Sequence, residues 1–137
     1  MTDNSAPMPA LMPALMVVDR NGVIRFWDAQ AEAMFGYAAA DVVGRPMDLL
    51  IVPSHRDRHW AGFGAAMARD VADMEQPVAN APITHADGVV RYSPLRFVTI
   101  ADPAGRPAGM LAVFGAVVAP GGANGLFDLY PEALAGA

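Results

Sequence analysis

The chain has 137 residues and a formal net charge of −5, with 9 Lys and Arg residues together and no cysteine. That length suits one domain with an ordinary core. The scarcity of cations argues against nucleic-acid binding and against an anionic membrane surface, both of which need clustered positive charge, and the missing cysteine excludes disulfides, thiolate metal sites, c-type haem attachment and cysteine nucleophiles.

Residues 1–12 are rich in Pro, Met and small side chains and are expected to form a flexible lead-in. They carry no basic segment, and Pro7, Pro9 and Pro13 interrupt the apolar run, so a secretory signal is not expected. No apolar run is long enough to span a bilayer, and a cytoplasmic location is the default expectation. Residues 14–19 (ALMVVD) predict a first strand and 23–27 (VIRFW) a second, joined through Asn21-Gly22, a pair that tolerates positive φ and so favours a hairpin. Strict alternation would put Val23, Arg25 and Trp27 on one face and Ile24 and Phe26 on the other. Asp28 is placed to cap a helix over 29–35, which Gly36 ends.

Residues 41–44 and 46–51 predict two further helical turns, and 53–69 the longest helix, opened by Pro53. His59, Phe63, Ala66 and Met67 recur there at helical spacing and line one face, while Gly62 and Gly64 weaken the helix or admit a close neighbour. After a polar connection, 78–84 predict a third strand interrupted by Pro82. Asp87-Gly88 turns the chain, and 89–100 predict a long strand with Ser93, Leu95, Phe97 and Thr99 on one face. Residues 102–107 turn again, and 108–118 predict an apolar last strand. Residues 119–125 read as a Gly/Pro linker. The apolar side chains of the tail, Leu126, Phe127, Leu129 and Tyr130, are expected to dock on the domain's own sheet or on a dimer face. Two strands, a block of helices and three meandering strands make an α+β domain over 13–118, with one five-stranded antiparallel sheet and a linker and tail over 119–137.

Several segments together resemble the PAS (S-box) family: Val17-Val18-Asp19-Arg20-Asn21-Gly22-Val23-Ile24, then Phe26-Trp27-Asp28 with Ala31-Glu32 and Met34-Phe35-Gly36-Tyr37, then Asp41-Val42-Val43-Gly44, the Asp87-Gly88 turn and the last strand. The resemblance spans about 14–118 and implies a sensory domain with an apolar cleft between the sheet and the long helix. It implies a small-molecule ligand or cofactor, with read-out by homodimerisation or by a partner protein. Photoactive flavin domains and photoactive yellow protein need a cysteine that this chain lacks. Ile51-Val52-Pro53, Arg56 and Arg58-His59 are similar to the long helix of haem-binding, FixL-type oxygen sensors.

That similarity implies haem b, with His59 as the axial iron ligand, Phe63 and Met67 on the same helix, and Leu95 and Phe97 on the gas-binding side with Leu111 and Val113 as neighbours. Asn80 is the nearest polar donor on the third strand, where the group has an arginine, and Met74 or Met67 is a candidate sixth ligand. Arg69 substitutes for the cation that would meet a haem propionate. Weak oxygen stabilisation is then the expectation for a gas sensor of this kind. The alternatives are a module with no cofactor, working only in protein–protein interaction, and a receptor for flavin or an apolar metabolite. Val17, Trp27 and Phe114 are candidates for a dimer face or for the core. No phosphate loop, nucleophile elbow or zinc-protease motif is present, so the chain is not read as an enzyme.

Overall fold

In the computed structural model, which describes residues 12–69, 78–122 and 124–130, five strands form one antiparallel sheet in the order β2-β1-β5-β4-β3. They are β1 Ala14–Asp19, β2 Ile24–Trp27, β3 Val78–Thr84, β4 Val90–Ala101 and β5 Pro107–Phe114. Between β2 and β3 lie α1 Ala29–Phe35, α2 Ala39–Val42, 3-10 turns at Met47–Leu50 and Pro53–His55, and α3 Arg56–Met67. The segment 70–77, which holds the candidate ligand Met74, lies outside the described residues, as do the lead-in 1–11 and 131–137. Among the described residues no helix is long and apolar enough to cross a membrane.

Local chemistry explains the first half of the chain. Asp28 caps α1, its carboxylate accepting from the backbone N–H of Ala31 at 2.8 Å and from that of Leu15 at 3.1 Å, so one side chain joins the helix start to β1. Phe35, at the end of α1, meets Trp27, Phe114 and His85 at ring separations of 5.6, 5.0 and 5.1 Å, and this aromatic cluster fixes the helix to the sheet. Trp27 and Phe114 therefore belong to the core, and the indole N–H of Trp27 donates to the carbonyl of Tyr37 at 3.0 Å. Val17, half-buried, is the one of the three dimer-face candidates left outside the core.

The expected alternation in β2 is corrected by a bulge. Met16 pairs with Trp27 and Val17 with Phe26, but Val18 pairs with Ile24, leaving Arg25 as the extra residue. Ile24 and Trp27 both become buried, and Phe26 is turned out to solvent. The long helix is corrected too: His55 has φ −113° and ψ 2°, which breaks the helical hydrogen-bond ladder, so a 3-10 turn precedes α3. Val23 lies outside β2 and bridges to Pro46. The last strand stops at Phe114: the N–H of Gly115 still bonds to the carbonyl of Pro94 in register, but Pro94 has no N–H to return, and Val118 rejoins through a single bridge to Tyr92.

β3 runs through Pro82 without interruption, paired residue by residue with β4. β3 is an edge strand, and the nitrogen of Pro82 shares the outward side with that of Asn80, two residues earlier, so no ladder bond to β4 is lost. The stretch 119–130, read from composition as linker and tail, folds back onto this edge. Asn80 donates its N–H to the carbonyl of Phe127 at 2.9 Å and accepts from the N–H of Leu129 at 2.7 Å.

Two glycines are places of contact. Gly109 lies so close to β1 that a Cβ would stand 2.4 Å from the carbonyl oxygen of Val18. Gly22, at φ 77°, lies under Trp60, whose ring a Cβ would overlap at 2.2 Å. Replacing Gly22 with alanine combines a left-handed backbone with that overlap and is expected to cost about 2–3 kcal/mol. Urea unfolding of G22A measures this, with Gly88→Ala, where a Cβ would meet nothing, as the control that isolates the backbone contribution.

Candidate functional site

Apolar side chains on the inner face of the sheet are the floor of a cavity of about 360 Å³. Met16 and Val18 reach it from β1, Leu95, Phe97 and Thr99 from β4, and Met110, Ala112 and Phe114 from β5. Each set recurs with a period of two, so they share the face toward the helices. The roof is α3, through His59, Gly62, Phe63 and Ala66, together with Leu50, Ile51 and Val52 before it. A Cβ at Gly62 would meet nothing within 4 Å: the glycine leaves room at the cavity instead of admitting a close neighbour. Leu129 and Tyr130, from beyond the sheet, complete the wall.

Among the described residues the polar groups on this wall are few: His55, His59, Arg69, Thr99 and Tyr130. His59 is pushed below the ordinary histidine range by burial, against the opposing pull of the Asp48 carboxylate, so its imidazole is neutral. Its Nδ1 is buried and has no hydrogen-bond partner among the described residues. Arg69, two residues past the end of α3, is exposed and has no acidic partner among the described residues. His55 accepts or shares a hydrogen bond with Arg58 through Nδ1 at 3.1 Å. Its ring stacks on that of Tyr130 at 4.9 Å, while the Arg58 guanidinium lies 4.8 Å from the centroid of the same ring. Trp60 donates its indole N–H to the carboxylate of Asp48, tying α3 to the 3-10 turn at Met47–Leu50.

Of the residues singled out in the sequence, His59, Phe63, Leu95 and Phe97 come together on the cavity wall. Met67 packs against the core outside that wall. Leu111 and Val113 are corrected: alternation along β5 sends Met110, Ala112 and Phe114 to the cavity and the two residues between them to the opposite face. Asn80 is corrected as well. It is fully buried, but its amide faces the outer edge, where Nδ2 lies 3.0 Å from Asn124 Oδ1, 2.9 Å from Asp128 Oδ1 and 3.2 Å from the Leu126 carbonyl. Sequence reasoning named Arg69 and expected the tail with Tyr130 to dock, but missed His55, whose stacking on Tyr130 depends on the tail folding back.

A family model described as the PAS fold matches residues 9–117. An uncharacterised protein from Azorhizobium caulinodans is 34% identical over 86 residues, 62% of this chain, and the aligned part is 12% of that protein. The PAS domain of a Colwellia psychrerythraea protein superposes with a TM-score of 0.65 at 20% identity, covering 80% of this chain and 90% of the other. The PAS domain of the Cronobacter turicensis quorum-sensing receptor RpfR, in complex with BDSF, superposes with a TM-score of 0.60 at 13% identity over 77% of this chain and 94% of the other. The same domain is also known in complex with C12:0. At these identities the likeness is one of fold.

Two histidines, His85 buried and His59 half-buried, make stability depend on pH. His59 and His85 are both held below the ordinary value of 6.5, chiefly by desolvation. The unfolded chain therefore binds protons that the folded one refuses. Their contribution is complete above about pH 6.5 and is lost as the pH falls toward the folded values. The urea midpoint is expected to drop between pH 7.5 and 5, and His59→Leu to flatten that slope. An equal slope in the variant would remove His59 from the effect.

Proposed function

This chain belongs to the PAS family, and we propose that within it the domain is a sensory receptor for an elongated apolar molecule carrying one anionic group, a medium-chain aliphatic carboxylate being the simplest. The observation that carries this is the pairing of an apolar cavity with one cation on its wall, Arg69, that has no acidic partner among the described residues. Each methylene withdrawn from water there contributes about 0.8 kcal/mol, and a guanidinium suits a carboxylate by its planar, forked donors. The binding of C12:0 by a domain of the same fold supports the same chemistry. Occupancy would act by population shift, the ligand favouring one arrangement of the cavity wall and a partner reading the change. Read-out through a second copy or a partner protein fits the apolar side chains, such as Phe26 and Ile100, that the domain leaves exposed.

Haem b on His59 is the second reading, favoured by a neutral imidazole on an apolar wall. The surrounding residues fit it poorly. A ligating histidine ordinarily donates its other ring N–H to a carbonyl or carboxylate, and Nδ1 of His59 has no such acceptor among the described residues. One arginine faces a group with two propionates. Asn80, the expected donor to bound gas, is engaged by the tail. Flavin fits poorly too, because among the described residues no amide side chain lines the cavity to meet its polar edge.

Calorimetric titration of the whole chain with dodecanoate tests the first reading. Binding is expected, weakened about five- to tenfold in Arg69→Gln, as for a charge-assisted contact at a partly exposed site. Dodecanol is expected to bind the two proteins alike. Absence of dodecanoate binding, or indifference to Arg69, contradicts the reading. Incubation with haem b is expected to leave no intense Soret band; a band abolished by His59→Ala would reinstate the gas sensor.

A further inference from the structure

The segment that folds back on β3 is attached in an unusual way. Two backbone bonds join it to Asn80, and the parallel pairing there is a single bridge, Asn80 to Asp128. The ladder cannot continue along β3, because the next outward nitrogen is that of Pro82, which carries no hydrogen. The remaining hold is made by side chains. The Asn80 amide meets Asn124, Leu126 and Asp128; Tyr92 donates its hydroxyl to the carbonyl of Tyr130 at 2.7 Å; and the Tyr130 ring sits against His55 and Arg58. Tyr130 has φ 49°, the one non-glycine left-handed residue among those described, a conformation that persists only where the surroundings impose it. Phe127, whose carbonyl takes one of the two backbone bonds, has a side chain that is 62% exposed.

We propose that residues 124–130 form a ligand-responsive latch, in which Leu129 and Tyr130 close the cavity and a guest inside it holds them closed. The proposal rests on the receptor reading above. A guest within the 360 Å³ space buries apolar surface against Leu129 and the Tyr130 ring only while the segment is docked. Binding and docking therefore strengthen each other by the same factor. The segment follows directly from β5 through the Val118–Tyr92 bridge, so the state of the cavity is passed to the C-terminal side of the domain. The strained backbone of Tyr130 favours release of the docked state, as a switch requires.

The test uses the full chain and two readouts, dodecanoate affinity and hydrogen exchange at the Leu129 amide. Saturating dodecanoate is expected to slow exchange at Leu129 about tenfold, and Tyr130→Ala to weaken binding by a similar factor and remove the protection. Tyr130→Phe, which keeps the ring against His55 and Arg58, is expected to restore both. If dodecanoate binds wild type and Tyr130→Ala equally and Leu129 exchange does not slow, the latch is refuted and the receptor stands. Faster exchange at Leu129 with ligand refutes it in the same way. If dodecanoate fails to bind wild type, the carboxylate receptor falls and the latch falls with it.

Discussion

A sheet with one apolar face must be covered, and here the cover is held off. The side chains that α3 and its approach present to the sheet include Gly62 and Ala66, too small to fill the gap beneath them. Trp60 holds the helix in place, through its bond to Asp48 and through its ring lying over Gly22 in the first turn. Aromatic packing around Phe35 closes the β2 side of the core completely. The unfilled volume is left on the other side, among β1, β5, β4 and α3. Interiors are otherwise close-packed, so a space of this size lined by apolar atoms marks a place for a guest.

The sheet was legible because its signals are local. Asn21-Gly22, Asp87-Gly88 and the turn before Pro107 each carry a glycine at positive φ, and the runs between them alternate. The cap at Asp28 was equally readable. What failed did so where one residue's placement depends on a neighbour distant in sequence. The bulge at Arg25 arises from the register with β1, and no reading of β2 alone reveals that Phe26 faces out. His55 leaves the helical region within a segment whose composition is helical. Pro82 was read as a break because its position on the sheet edge is a property of the whole topology.

The site divides along the same line. His59, Phe63, Leu95 and Phe97 reach the cavity because helical spacing and strand alternation put them there. Leu111 and Val113 miss it by one residue of register. Asn80 shows how a correct residue receives a wrong role: its polarity and its place on the third strand drew notice, but its partners lie more than forty residues on, in a stretch read as linker and tail. Asp128, one of those partners, is held below the ordinary carboxylate range by the backbone N–H of Gly121 and by the Asn80 amide, so it keeps its charge while docked. Fold and chemistry therefore meet at the tail, which is both part of the wall and the way out of the domain.

A receptor and its latch both require open space under α3. Ala112 stands on β5 at the cavity floor, buried, with no larger side chain of its own to fill the gap. Thermal unfolding of Ala112→Leu measures the space directly. If the cavity is present, the added methyl groups enter it, and the variant is at least as stable as the parent. If the layers are meshed, the same groups overpack the core and stability falls by about 1–3 kcal/mol, which would contradict the account.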